Sequence, residues 1–354
     1  MKSRKTLAVF AVLLSTALVG ANAHAEKRVK AKLHSAWSSS LPHLGTSGVR
    51  FAENIKRLSG GSFQVKFHEP GALIPANEGF DAVSKGSIEM AWTTAGYDVG
   101  KYPALAYFTA VPFGPQLGEY MAWKIFGGGN EIQQKIYADH NIHQMDCFAI
   151  GPETSGWFKE EITDLEQMRG LKMRFFGLGA RVVQKLGVST QLLSAGDIFP
   201  ALEKGVIDAT EFSMPAMDIR LGFHQIAKNN YFPGWHQQVS VSQLLVNMDF
   251  WNSLPDSYQA MLEIGCGDSI HHTYAETEYV NPFAMVKMGE ENGVITRRWT
   301  DDQLAVFEQA WRDVVAEDSA KDPLFKEVTE SYEAFRKAYG KWGAAQALAP
   351  TYLN

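Results

Sequence analysis

GPETSGWF (Gly151–Phe158), LEQMRGLKMRFFGLGA (Leu165–Ala180) and AGDIFPALEKGVIDATEF (Ala195–Phe212) form the stretch that decides the fold. LKMRFF reads as a short strand ending on glycines. A helix follows over about Ala180–Leu186 and stops at Gly187. In open α/β sheets, strand-to-helix junctions set free backbone N–H groups against small ligands. Arg174 stands at this junction, where a guanidinium can hold a carboxylate with two parallel hydrogen bonds. Spacing alone allows a surface ion pair just as well.

Working outward, one element occurs twice. FDAVSKGSIE (Phe80–Glu89) and FPALEKGVID (Phe199–Asp208) share F-x-A-[V/L]-x-K-G-x-I-[E/D]. Each reads as a short amphipathic helix, a glycine cap and a strand. The first strand ends at Trp92, Thr93 and Thr94, the second at Thr210, Glu211 and Phe212. The pair is either a common helix–glycine–strand idiom or the mark of two similar α/β lobes facing a shared cleft. Earlier in the chain, Val29–Trp37 alternates as a strand. Gly45–Leu58 carries helical apolar spacing and ends at Gly60 and Gly61. Phe63–His68 is a second strand. That βαβ order implies parallel strands covered by helices.

The start of the chain reads as a secretory signal peptide. Lys2, Arg4 and Lys5 precede an apolar run from Leu7 to about Gly20, and Ala23-His24-Ala25 fits a small-x-small cleavage site. No later stretch approaches the roughly 18 apolar residues of a membrane span. Cleavage after Ala25 would take the net charge from −6 to −9. With no basic run, this argues against nucleic acid as a partner. It leaves room for an anionic ligand, because a local arginine outweighs distant screened charge. Cys147 sits in an expected buried strand and Cys266 in a helix-like run. The compartment permits a disulfide, yet sequence cannot place them within bridging distance, and the reading is two buried thiols. No P-loop, G-x-S-x-G or H-E-x-x-H is present, and the ten histidines are scattered without chelating spacing.

After Phe212 comes the turn SMPAM, then the aromatic segment YFPGWHQ (Tyr231–Gln237), then an expected strand over Val239–Val246. A long helix is expected from Asn252-Ser-Leu-Pro255 to about Tyr279. From Asp301 to about Ala347 the chain is helical, with large apolar groups that need a partner surface.

The run MRFFGLG (Met173–Gly179), with DIFPALEKGVIDATE (Asp197–Glu211), resembles the TRAP-transporter extracytoplasmic solute receptors of the DctP type. The resemblance extends through PGALIPANEGFDAVSKGSIEMAW (Pro70–Trp92), ALAYFTAVPFG (Ala104–Gly114), YFPGWHQ and DPLFKEVTESYEAFR (Asp322–Arg336). The last two blocks are similar to the branch that binds 2-oxo and 2-hydroxy monocarboxylates with a metal ion. The resemblance implies a two-lobed periplasmic-binding-protein-like α/β fold with a cleft and a long C-terminal helix. Lobe I would run over 26–150, completed by about 237–280. Lobe II would run over 151–236, completed by about 281–300, and a helical tail over 301–354.

It also implies site roles. Arg174 would bind the substrate carboxylate. Glu153, Glu211, the Phe212 carbonyl and Gln237 would hold the ion, and oxygen-only ligation suits Na⁺ or Ca²⁺. Trp235 would lie at the ligand. Tyr97 and Trp92 are candidate contacts from lobe I. Two features depart from the branch. Gln is usual where this chain has Glu153, and Glu where it has Gln237, so the carboxylate count is kept if both line the site. Met214 and Met217 would form a soft wall, pointing to a tail longer or more branched than that of pyruvate. Arg181 could serve a second carboxylate or face solvent. The tail would pack across both lobes of its own chain, or exchange between two subunits as a homodimer. The implied partners are a small organic carboxylate and the TRAP membrane permease. The competing readings are a receptor for an aromatic or dicarboxylic acid without metal, and a secreted enzyme using Glu153 or Glu211 as general base.

Overall fold

A computed structural model of the chain describes residues 28–348. The signal-peptide reading of Met1–Ala25 therefore lies outside the described residues. Among the described residues the strands are β1 (Val29–Ser35), β2 (Phe63–His68), β3 (Met90–Thr93), β4 (Ile142–Ile150), β5 (Gly156–Phe158), β6 (Lys172–Arg174), β7 (Ser189–Gln191), β8 (Ala209–Thr210), β9 (Asn229–Phe232), β10 (Ser240–Asn247) and β11 (Ile295–Arg298). They form two sheets, ordered β2-β1-β3-β10-β4 and β11-β9-β5-β8-β6-β7. In the first, β1 is parallel to β2 and β3, while β10 runs antiparallel to β3 and β4. In the second, β6 is parallel to β7 and β8, and β5 is antiparallel to β8 and β9. This is the mixed α/β, two-sheet architecture expected from the sequence. Each sheet with its helices makes one lobe.

The repeated element occupies equivalent places. The helix Gly79–Ser84 ends at Gly86 (φ 70°) and leads to β3, inside the first sheet. The helix Ala195–Glu203 ends at Gly205 (φ 70°) and leads to β8, inside the second. Both glycines take the left-handed conformation that only glycine adopts without strain. The two strand tips therefore point to one cleft from opposite sides. Among the described residues the chain crosses between the sheets three times: after β4, between β9 and β10, and between β10 and β11 through the helix Asp256–Asn292.

Three expectations are corrected. The helix expected to end near Tyr279 runs from Asp256 to Asn292 and ends at Gly293 (φ 65°), carrying Pro282 in its interior. The tail is two helices, Asp301–Lys321 and Pro323–Gln346, because the Asp322 carboxylate accepts from the Leu324 and Phe325 N–H groups and Pro323 starts the new helix. Cys147 and Cys266 are a disulfide, not two thiols, joining β4 to the long helix across 119 residues of sequence. Replacing both by serine is expected to cost about 2–5 kcal/mol of stability, read from urea unfolding under non-reducing conditions.

The tail packs on both lobes of its own chain. Its first helix meets the lobe II helix Gly177–Lys185, where Arg181 pairs with Asp318 at 3.0 Å and Lys185 with Glu317. Arg181 is thus a partly exposed helix residue facing the tail. The second tail helix covers lobe I. Thr329 donates to the Tyr107 hydroxyl at 2.9 Å, and Arg336 donates to the Phe113 carbonyl at 2.9 Å. No helix among the described residues is long and apolar enough to cross a membrane.

Candidate ligand and metal site

Arg174 ends β6, one turn before the helix Gly177–Lys185, and its side chain is buried. The next strand of the sheet, β8, delivers Glu211 beside it. Arg174 Nη1 donates to the Glu211 carbonyl at 2.5 Å and to Glu211 Oε2 at 2.9 Å. Glu211 Oε2 also accepts from the Phe176 N–H at 3.0 Å, so the free N–H at the helix start serves a protein carboxylate. Arg174 Nε reaches the Leu193 carbonyl at 3.4 Å. Its guanidinium carbon lies 5.1 Å from the Phe212 ring centre and 5.9 Å from that of Phe176. This holds the arginine in place as a cation on two aromatic faces.

Glu153 follows the crossover from β4. Its Oε1 accepts from the Ser213 hydroxyl at 2.7 Å. The segment between β9 and β10 folds over it. Glu153 N–H donates to the Gln237 carbonyl at 3.2 Å. Gly234 lies so close that an added Cβ would meet the Glu153 carbonyl oxygen at 2.1 Å. The same segment brings in His236, whose Nε2 is 3.4 Å from Glu211 Oε1 and 3.8 Å from Glu153 Oε2. One ligand-type atom each from Glu153, Glu211 and His236 fall within 4.8 Å of one another, and all three residues are buried. His236 is the site residue that the sequence reading passed over.

Within this cluster, Glu153 lines an inter-lobe cavity of about 30 Å³, and Glu211 and His236 stand outside its lining. Lobe II contributes Glu153, Arg174, Phe176 and Phe212, and the crossover between β9 and β10 contributes Gln237. Lobe I contributes Trp37, Tyr97, Thr94 and Ser242, among others. Burial raises the Tyr97 pKa to about 12, so its phenol stays neutral. The other expected residues lie elsewhere. Trp92 is corrected to the lobe I core: it stacks on Phe148 at 4.4 Å and donates to the Leu44 carbonyl at 2.9 Å. Trp235 is corrected to the lobe II core, stacked on Phe307 at 4.6 Å. Met214 and Met217 are buried behind the site and do not line the cavity, so they supply no wall for a longer tail. Gln237 and Glu153 both line it, which keeps the carboxylate count despite the exchange of the two positions.

Residues 34–322 match the family described as DctP, bacterial extracellular solute-binding protein, family 7. The chain belongs to that family. It is 32% identical to a monocarboxylate 2-oxoacid-binding periplasmic protein of Nostoc sp. (strain PCC 7120), over 99% of this chain and 98% of that one. A TRAP transporter solute binding protein from Bordetella bronchiseptica RB50 is similar in structure, with TM-score 0.88 and 31% identity over 91% of this chain and 95% of that one. It is described as a mixed-occupancy dimer with copurified calcium and picolinate in one active site and an apo second site. A TRAP periplasmic solute binding protein from Colwellia psychrerythraea, with bound calcium and pyruvate, gives TM-score 0.86 and 30% identity over 90% and 98% of the two chains. The DctP family is one of solute-binding receptors, not of enzymes, which sets aside the reading of this DctP chain as a secreted enzyme.

The electrostatics of this DctP site follow from burial and charge pairing. Burial lifts the Glu153 pKa to about 7. Burial would raise Glu211 as well, but the Arg174 guanidinium outweighs it and holds Glu211 below its ordinary value. Burial would lower His236, but Glu153 and Glu211 outweigh it and hold His236 at about 9. Both raised groups bind protons more tightly folded than unfolded. The His236 contribution is therefore complete below pH 6.5 and is lost as pH rises through about 9. The Glu153 contribution acts in the same direction, falling from pH 4.5 to about 7. The ion-free protein is expected to lose on the order of 2–3 kcal/mol of stability between pH 6 and pH 9, measured by urea unfolding in chelator-treated buffer.

Proposed function

We propose that this DctP receptor, secreted to the periplasm and freed of Met1–Ala25, captures a small 2-oxo or 2-hydroxy monocarboxylate together with a metal ion and delivers it to a TRAP permease. One observation carries the reading: beside Arg174, four buried polar atoms (Glu153 Oε2, Glu211 Oε1, Gln237 Oε1 and His236 Nε2) make no hydrogen bond among the described residues, and the two carboxylate oxygens meet His236 only at ion-pair distances of 3.8 and 3.4 Å. Buried polar atoms without hydrogen bonds at this density are costly unless a cation or ligand satisfies them. The residues fit a metal ion on that ground. Glu153, Glu211 and Gln237 would hold it, with the Phe212 carbonyl beside them. Once bound, the ion would supply positive charge to an anionic ligand's carboxylate and 2-oxygen. Arg174 Nη2, which makes no hydrogen bond among the described residues, would donate to that carboxylate. The similar proteins described as 2-oxoacid-binding or as holding pyruvate with calcium support the substrate class. The cavity of about 30 Å³ between the lobes supports a small ligand.

Within this reading, lobe I is 26–150 completed by about 237–280, and lobe II is 151–236 completed by about 281–300. Ligand bridges the two and shifts the population toward the closed form. Gly96 of lobe I is the seat for closure: an added Cβ would stand 2.0 Å from Phe176 Cζ of lobe II. Gly96→Leu is expected to lower affinity more than tenfold without changing the melting temperature of the ligand-free protein, read by calorimetry and thermal unfolding.

The test of the function is calorimetry against 2-oxo acids before and after chelation, repeated in sodium-free buffer. Affinity lost on ion removal and restored by the ion supports the proposal. Absence of binding to any 2-oxo acid in any ion sinks it. A homodimer through the C-terminal helix belongs to the same proposal, supported by the dimer described for the Bordetella protein. A light-scattering mass near one mature chain would remove that part.

A further inference from the structure

The branch resembled by this chain holds its ion with oxygens, and His236 adds a nitrogen. We propose that the ion site takes a first-row divalent transition ion of the Mn²⁺, Co²⁺ or Zn²⁺ class, with His236 Nε2 as a direct ligand beside Glu153 and Glu211. The inference rests on the metal-assisted reading above and names the class of its ion.

Spacing is the first argument. A histidine present only to pair with carboxylates would donate at about 2.8–2.9 Å. His236 Nε2 stands 3.4 and 3.8 Å from the two carboxylate oxygens and makes no hydrogen bond with either. Two ligands roughly 2.0–2.2 Å from a shared tetrahedral ion lie roughly 3.3–3.6 Å apart. The Glu211 separation falls in that range and the Glu153 separation lies about 0.2 Å beyond its upper end, within a small side-chain adjustment of it.

The second argument is that the ring is fixed. It lies edge-on to Phe175 at 5.0 Å and to Trp235 at 5.6 Å. Gly179 backs onto it, where an added Cβ would meet His236 Cβ at 2.8 Å. The imidazole cannot swing away from the carboxylates without rebuilding the segment between β9 and β10.

Donor chemistry then chooses the ion. Na⁺ and Ca²⁺ take oxygen ligands, while imidazole suits first-row transition ions. Charge agrees. With neutral imidazole, two carboxylates, one guanidinium, a divalent ion and a monocarboxylate sum to zero inside a buried site. A buried cluster with no net charge avoids the penalty of an unpaired ion.

The test uses the full mature chain, stripped of metal and titrated with Mn²⁺, Co²⁺, Zn²⁺ and Ca²⁺ by calorimetry. The Mn²⁺ form is examined by electron-spin-echo modulation for imidazole nitrogen coupling. The transition ions are expected to bind at least tenfold more tightly than Ca²⁺, with the nitrogen coupling present. His236→Gln is expected to remove the coupling and lower transition-ion affinity by roughly 10–100-fold, a larger loss than it causes for Ca²⁺. Tighter Ca²⁺ binding in the unaltered protein, or no nitrogen coupling, overturns the proposal. The spectrum of the unaltered protein decides the ligand even if His236→Gln folds poorly. The two readings fail separately. Binding of 2-oxo acids with Ca²⁺ and no nitrogen coupling would sink the ion class and leave the receptor function. Nitrogen coupling with no 2-oxo-acid binding would sink the substrate class and leave the ion site.

Discussion

Arg174→Met is expected to abolish ligand capture and to cost about 3–5 kcal/mol of fold stability in the same step. The two effects come from different atoms. Nη1 is committed to Glu211, donating to its carbonyl and to its carboxylate, so removing it leaves a buried carboxylate without its cation. Nη2 makes no hydrogen bond among the described residues and is the atom proposed to donate to the ligand. One or two charge-assisted hydrogen bonds contribute roughly 2–4 kcal/mol, or about 30–1,000-fold in affinity. Urea unfolding and calorimetry separate the losses. Arg174→Met combined with Glu211→Gln removes the orphaned charge, so it should recover much of the stability and none of the affinity. Recovery of affinity in the double variant would show that the arginine acts only through Glu211.

Most of the architecture was legible because short-range chemistry dictates it. The strand ending at Arg174 and the glycine caps at Gly86 and Gly205 are local signals, readable without tertiary contacts. The repeated element was legible for the same reason, and it set two strand tips at one cleft. Convergence of distant segments was not legible. His236 has no chelating neighbour in sequence, and it meets Glu153 and Glu211 only because Gly234 lets the chain press onto Glu153. Adjacent in sequence, His236 and Trp235 face different surroundings, the ring of one beside the carboxylates and the other against Phe307. Aromatic residues near strand tips read alike whether they face core or cleft; Trp92 faces the core, and Tyr97 lines the cavity. The disulfide pairs residues far apart in the chain, and spacing says nothing about such a distance. The long helix was cut short at Tyr279 because Asn281-Pro282 reads as a helix break, yet the helix continues with Pro282 in its interior.

Glu211→Gln is expected to weaken ion binding at least a hundredfold, while Glu153→Gln weakens it only several-fold. Charge count alone would make the two equal, so the difference comes from the hydrogen bonds. Glu211 Oε2 already accepts from Arg174 Nη1 and from the Phe176 N–H. A glutamine there must keep its amide oxygen on those two donors. Its NH₂ then takes the place of Oε1, the atom near His236, and presents a donor where an ion requires an acceptor. Glu153 is less constrained. Its Oε1 accepts one bond from the Ser213 hydroxyl, which can rotate to accept instead. A glutamine at 153 can therefore turn its oxygen to the ion, and the branch that this chain resembles usually carries glutamine at that position. Calorimetry of the ion on both variants, with thermal unfolding as a control, reads the difference. Equal losses would mean that the ion responds to net charge rather than to directed oxygens. A larger loss at Glu153 would move the centre of the site from the β8 tip to the crossover after β4.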